Sequence, residues 1–189
     1  NMKKEFADYN LIEINPIMGL SKFRSGITGF LRILNESIKN QKEKNVFEPF
    51  ILFEDDVKKY REFPDILDIP DDADILYIGI STWGTDKNKA KAGINGLIYS
   101  DNINDDLIRV YNMLSTHGYI ICSIRGLLLY QKCLLDDFYK KRGWDMSMAY
   151  IQPHLNVYAL KVPLVYQCKS MGGEEISTKI NLNNINLKY

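Results

Sequence analysis

Apolar residues along the chain fall into two patterns, and the way these interleave sets the expected architecture. Ile27, Phe30, Leu31, Leu34 and Ile38 recur at the spacing of one helical face. Ser25 or Thr28 is the expected N-cap. The basic cluster Lys39 to Lys44 is expected as the solvated end of that helix. Phe47 to Phe53 (FEPFILF) is a short apolar run rich in aromatic and branched side chains, which predicts a buried strand, and it stops at three consecutive acids. Ala73 to Ser81 (ADILYIGIS) and Gly118 to Ser123 (GYIICS) read the same way, and Asn10 to Asn15, Leu107 to Leu114, Leu155 to Leu160 and Leu164 to Gln167 complete the strand set. Ile124 to Lys140 predicts a second helix with Leu127, Leu128, Leu134, Leu135 and Phe138 as its apolar residues, and Asp145 is expected to cap a short third helix through Tyr150. Thr82 to Gly96, with three glycines and Lys87, Lys89 and Lys91, reads as a long loop of the kind that covers sites. The Asn-rich stretch 181–189 is expected as a frayed or docked tail. Strands interleaved with helices predict an α/β layered domain, one unit over residues 1–189.

Composition narrows the function classes. Lys plus Arg equals Asp plus Glu, 24 of each, so there is no basic excess of the kind a nucleic-acid binder shows. No apolar stretch reaches the roughly 18 residues that a membrane span requires. Cys122, Cys133 and Cys168 are odd in number and form no CxxC pair, which argues against a zinc site or a disulfide framework. A cytoplasmic or other reducing compartment is the corresponding expectation.

The sharpest chemical signal is Glu54-Asp55-Asp56. Adjacent carboxylates at the end of a buried strand repel one another and call for solvent or a cation. In open α/β sheets ligands bind at the carboxyl ends of strands. Hard oxygen ligands there suit manganese or magnesium, held by one or two carboxylates together with substrate phosphates. A solvated acidic turn is the plain alternative. No P-loop, GxGxxG or GxSxG is present.

The string ILFEDDV resembles the acidic signature of GT-A glycosyltransferases, especially family 25, the lipopolysaccharide and collagen galactosyltransferase group. Further segments fall in that family's order: RSGITGFLRILN (24–35), DILYIG (74–79), Thr116-His117-Gly118-Tyr119, Gly143-Trp144-Asp145, Asn156 to Ala159 and Pro163 to Gln167. The resemblance spans residues 24–167. It implies a GT-A-like three-layer α/β sandwich around a central mixed, mostly parallel sheet. It implies an enzyme that moves a hexose from a nucleotide-diphosphate sugar, expected to be a UDP-sugar, to an acceptor hydroxyl on a glycan or protein, with inversion. Carried over by position, Asp56 is the metal ligand, with manganese expected and magnesium the alternative. Glu54 and Asp55 hold the donor's ribose, His117 approaches the donor phosphates or sugar, Gln167 lies at the donor, and Trp83 stacks on donor or acceptor. Asp145 is the general base that deprotonates the acceptor. Two departures stand out. The first helix has Phe30 and Ile33-Leu34 where the family has a Cys and a Ser-His pair, and nothing before Asn10 matches the family's Asn-Leu-Asp-Arg-like turn. These motivate a second reading, a catalytically degenerate GT-A domain that binds a glycan or a protein partner.

Overall fold

The computed structural model describes residues 4, 6–9, 11–15, 17–44, 46–85, 97–140, 142–168 and 182–183. Helix α1 runs Lys22–Lys44, four residues longer at its start than a Ser25 cap would allow. The cap is Ser21, whose Oγ accepts from the Arg24 amide at 3.4 Å. Ile27, Phe30 and Leu34 are buried, with Leu31 and Ile38 packed against them, so the predicted helical face is the one that meets the core. Helix α2 runs Ile124–Lys140 as expected. Its N-cap, Ser123, accepts from the Gly126 amide at 3.0 Å and donates to Asp74 Oδ1 at 2.5 Å, while Asp74 Oδ2 accepts from the Asn156 amide. That buried carboxylate ties a helix start to two strands. Helix α3 runs Trp144–Ile151.

The described residues also form nine strands: β1 (Phe50–Phe53), β2 (Val57–Lys59), β3 (Ile75–Tyr77), β4 (Ile98–Asn102), β5 (Leu107–Val110), β6 (Gly118–Ile121), β7 (Val157–Leu160), β8 (Val165–Gln167) and β9 (Leu182–Asn183). The main sheet has the order β1-β6-β3-β7-β5-β4, with β9 along the β4 edge, and β2 pairs with β8 in a separate ribbon. Residues 11–15, expected as a strand, form none. Residues 86–96 of the expected loop lie outside the described residues, as does most of the tail, of which Leu182 and Asn183 pair with Ile98 and Tyr99.

The sheet is mixed but mostly antiparallel, which corrects the expectation of mostly parallel strands. β6 runs antiparallel to both β1 and β3, and β5 antiparallel to both β4 and β7. Within the six-stranded body only β3 and β7 run parallel. Continuous apolar runs such as ILY and GYII report that both faces of a strand are covered, and coverage is indifferent to strand direction.

Side chains alternate between the two faces with the period of the pleat. Leu52, Ile75, Tyr77, Tyr119, Ile121, Val157 and Ala159 point into a core shared with α1, α2 and α3. Their neighbours Leu76, Ile78, Ile120, Tyr158 and Leu160 point into a second core closed by Phe6, the β2–β8 ribbon and the segment around Phe63 to Ala73. All three named helices therefore cover one face, while coil and a small ribbon cover the other. Cys122, Cys133 and Cys168 are free thiols. Among the described residues no helix is long and apolar enough to cross a membrane.

Candidate functional site

The acidic triplet sits where both layers meet at one end of the sheet. Phe53 pairs with Gly118 across β1 and β6, so the next residue, Glu54, falls opposite His117, and its amide bonds the His117 carbonyl at 3.3 Å. The chain then turns through Asp55 and Asp56 into β2, whose Val57 pairs with Gln167 of β8. The Cys168 amide donates to the Asp56 carbonyl at 2.8 Å, which closes the turn against the ribbon.

This turn sends the three carboxylates in three directions. Glu54 points inward. Its Oε1 accepts from Thr116 Oγ1 at 2.5 Å and from Trp144 Nε1 at 2.9 Å, and its Oε2 accepts from Gln167 Nε2 at 3.4 Å. Asp55 is exposed at the tip. Asp56 is buried, and its Oδ2 accepts from the same Gln167 Nε2 at 2.9 Å. Burial pushes the Glu54 carboxyl up, the bonds from Thr116 and Trp144 pull it down, and the charges of Asp56 and Asp145 push it up again; the net direction is upward.

Trp144 reaches Glu54 because α1 makes room for it. A Cβ on Gly26 would stand 2.6 Å from Trp144 Cζ3, so only glycine lets the indole lie flush on the helix. Phe30, one turn on, faces the same indole with ring centroids 5.9 Å apart. Asp145 follows as the second residue of α3, not its cap: Gly143 occupies the cap position without any side-chain bond. Asp145 Oδ1 accepts from the Met146 amide at 2.8 Å. Burial raises its pKa and the backbone bonds at the helix start lower it, with burial the larger effect. Beneath lie three buried tyrosines: the Tyr77 and Tyr119 rings are 6.0 Å apart, those of Tyr119 and Tyr130 are 6.1 Å apart, and Gln152 donates to the Tyr77 hydroxyl.

His117 is 5% exposed. Its Nδ1 lies 3.2 Å from Ser115 Oγ, its Nε2 has no hydrogen-bond partner among the described residues, and the ring edge rests on Gly79, where a Cβ would come within 2.5 Å. Burial lowers its pKa to about 4, so the ring is neutral at ordinary pH. Trp83 is half-buried. Its carbonyl accepts from the Leu114 amide and its amide donates to Ser81 Oγ.

The structure thus gathers Glu54, Asp56 and Gln167 into one bonded group, with Asp145 within electrostatic reach of Glu54. Asp55 stands outside that group at the solvent, and His117 packs beneath it. Thr116, Trp144 and Gly26 were visible in the sequence only as members of motif strings; nothing in their residue type announced that they converge on Glu54.

A divalent ion at this turn would meet the exposed Asp55 and the buried Asp56, whose carboxylate also accepts from Gln167. Among the described residues no group of three or more His, Cys, Asp or Glu side chains is disposed to hold a metal. Glu54 is committed to protein donors through both oxygens, which leaves Asp56 and Asp55. That set suits a cation that completes its shell with phosphate oxygens and water, and does not suit a closed protein cage. No family profile, curated protein or solved structure matches the chain.

Proposed function

We propose that this chain is a metal-dependent glycosyltransferase of GT-A type, transferring a hexose from a nucleotide-diphosphate sugar, a UDP-sugar foremost, to a hydroxyl of a glycan or protein acceptor. One observation carries the reading. The short segments that resemble family 25 are far apart in sequence, yet Gly26, Glu54, Asp56, Thr116, Trp144 and Gln167 form one continuous set of contacts. Motifs that matched by chance would have no reason to meet.

In this mechanism Asp56, steadied by Gln167, and the exposed Asp55 would hold the divalent ion, manganese or magnesium. When bound, that ion neutralises the charge that builds on a departing diphosphate. Asp145 takes the proton from the acceptor hydroxyl. Its raised pKa brings it nearer to working pH, where a carboxylate is a more effective base. Trp83 offers a flat apolar surface for a sugar or base. His117, neutral and enclosed, contributes shape and no charge at the phosphates.

The test is a donor-hydrolysis screen across nucleotide sugars with and without manganese. Metal-dependent release of nucleotide diphosphate is expected, lost in Asp56→Ala and reduced by roughly 10²- to 10⁴-fold in Asp145→Asn. Turnover that survives Asp56→Ala intact would remove the reading. The second reading, a degenerate binding domain, draws support from the commitment of Glu54 to internal bonds. It predicts no donor turnover by the wild-type chain.

A further inference from the structure

Among the described residues, Glu54 is the side chain that touches both halves of the proposed site. On one oxygen it receives Thr116 and Trp144, the residue that precedes Asp145 on α3. On the other it receives Gln167, whose same amide nitrogen also holds Asp56. We propose that Glu54 is a positioning residue that clamps Trp144 and Gln167 to a single carboxylate and so sets Asp145 and Asp56 in a fixed mutual geometry. The inference rests on the proposed roles of Asp56 and Asp145, and it replaces the expectation that Glu54 holds a ribose. A carboxylate whose two oxygens already accept three donors has little left to offer a ligand.

The chemistry explains why this position takes glutamate. Trp144 Nε1 can only donate, so whatever faces it must accept. Gln167 Nε2 must donate to Asp56, so the atom on its other side must accept as well. A carboxylate is acceptor-only at both ends and meets both demands. Glutamine would not. With its oxygen towards Trp144, its amide nitrogen would face Gln167 Nε2, donor against donor, and the link to Asp56 would slip. Glu54→Gln therefore keeps the Trp144 end and releases the Asp56 end. Glu54→Asp keeps the charge but shortens the arm so that it cannot span both, and it serves where the amide variant does not fold.

The clamp can be read without any catalytic assay. The chain has 2 tryptophans, so the indole N–H resonance that survives in Trp83→Phe identifies that of Trp144 in the spectrum of the otherwise unaltered parent chain. In the ligand-free ¹⁵N-labelled protein, Gln167→Ala is expected to displace that resonance and speed its exchange with water. In the Glu54→Gln background the same change is expected to add nothing. Magnesium with UDP is expected to move the Trp144 resonance in the unaltered parent, which keeps Trp83, to fail to do so in Glu54→Gln, and to bind that variant roughly 10- to 100-fold more weakly, the usual loss when a partner of a metal ligand is removed. An indole resonance unmoved by Gln167→Ala, or moved equally in both backgrounds, would overturn the clamp. A clamp that responds to Gln167→Ala while magnesium and UDP leave the parent unchanged would instead overturn the donor-site reading, so the two failures are distinct.

Discussion

Two glycines, three residues apart on α1, should respond to alanine with opposite signs. In a helix interior, replacing glycine by alanine ordinarily stabilises by about 0.5–1 kcal/mol, because glycine loses more backbone freedom on folding. Gly29 should behave this way: a Cβ there would meet only Ile14 Cγ2, at 4.0 Å. At Gly26 the new Cβ would stand 2.6 and 2.9 Å from two carbons of the Trp144 ring. Forcing a methyl into such a contact costs about 1–3 kcal/mol. The indole cannot retreat without surrendering its bond to Glu54, and a bond to a charged acceptor is worth about 1.5–3 kcal/mol. Set against the propensity gain, Gly26→Ala should lose about 2 kcal/mol net, while Gly29→Ala gains up to about 1. For a chain of this size a 2 kcal/mol loss lowers the melting temperature by roughly 4–8 °C. Urea unfolding followed by far-ultraviolet circular dichroism measures both variants on one scale. Equal stabilities for the two variants would refute the account of how α1 seats Trp144.

Further predictions follow from buried polar groups. The His117 ring is neutral in the fold, with its pKa lowered from 6.5 to about 4, so the unfolded chain binds the extra proton in that window. Stability should fall by on the order of 3 kcal/mol as pH drops from 6.5 to 4. Glu54 and Asp145, whose pKa values are raised, act in the opposite sense, so the difference between wild type and His117→Asn isolates the histidine; identical pH profiles would contradict its burial as a neutral ring. Asn112 is buried, donates to the carbonyls of Thr85 and Leu97 and accepts from the Tyr99 amide, holding together the two stems of the 86–96 segment. Asn112→Ala should cost about 2–3 kcal/mol in urea unfolding, since it strands buried backbone groups, and a loss under about 0.5 kcal/mol would show that the clasp is idle.

What the sequence disclosed follows the range of the forces involved. Periodicity is local, so α1 and α2 and the central strands were legible from residues such as Ile27, Leu34 and the run GYII. β4 escaped because IYSDN is short and half polar, and its pairing with β5 rests on partners the pattern does not announce. Strand direction escaped because ILY and GYII are covered on both faces whichever way they run. At the site, the acids were conspicuous but their division of labour was not. Glu54 and Gln167 lie 113 positions apart, and only the β2–β8 register brings them together. Asp145 was expected as a helix cap, yet the glycine before it takes that position and leaves the carboxylate one residue inside the first turn.

The claim on which the functional account depends is that Asp56 and the turn it closes hold a divalent ion shared with a pyrophosphate. Calorimetric titration of the whole chain with UDP, in the presence and absence of manganese, measures this directly, with Asp56→Asn as the comparison. The account predicts binding that requires the metal and is lost in Asp56→Asn. UDP binding of equal strength with or without manganese, or unchanged in that variant, would contradict it.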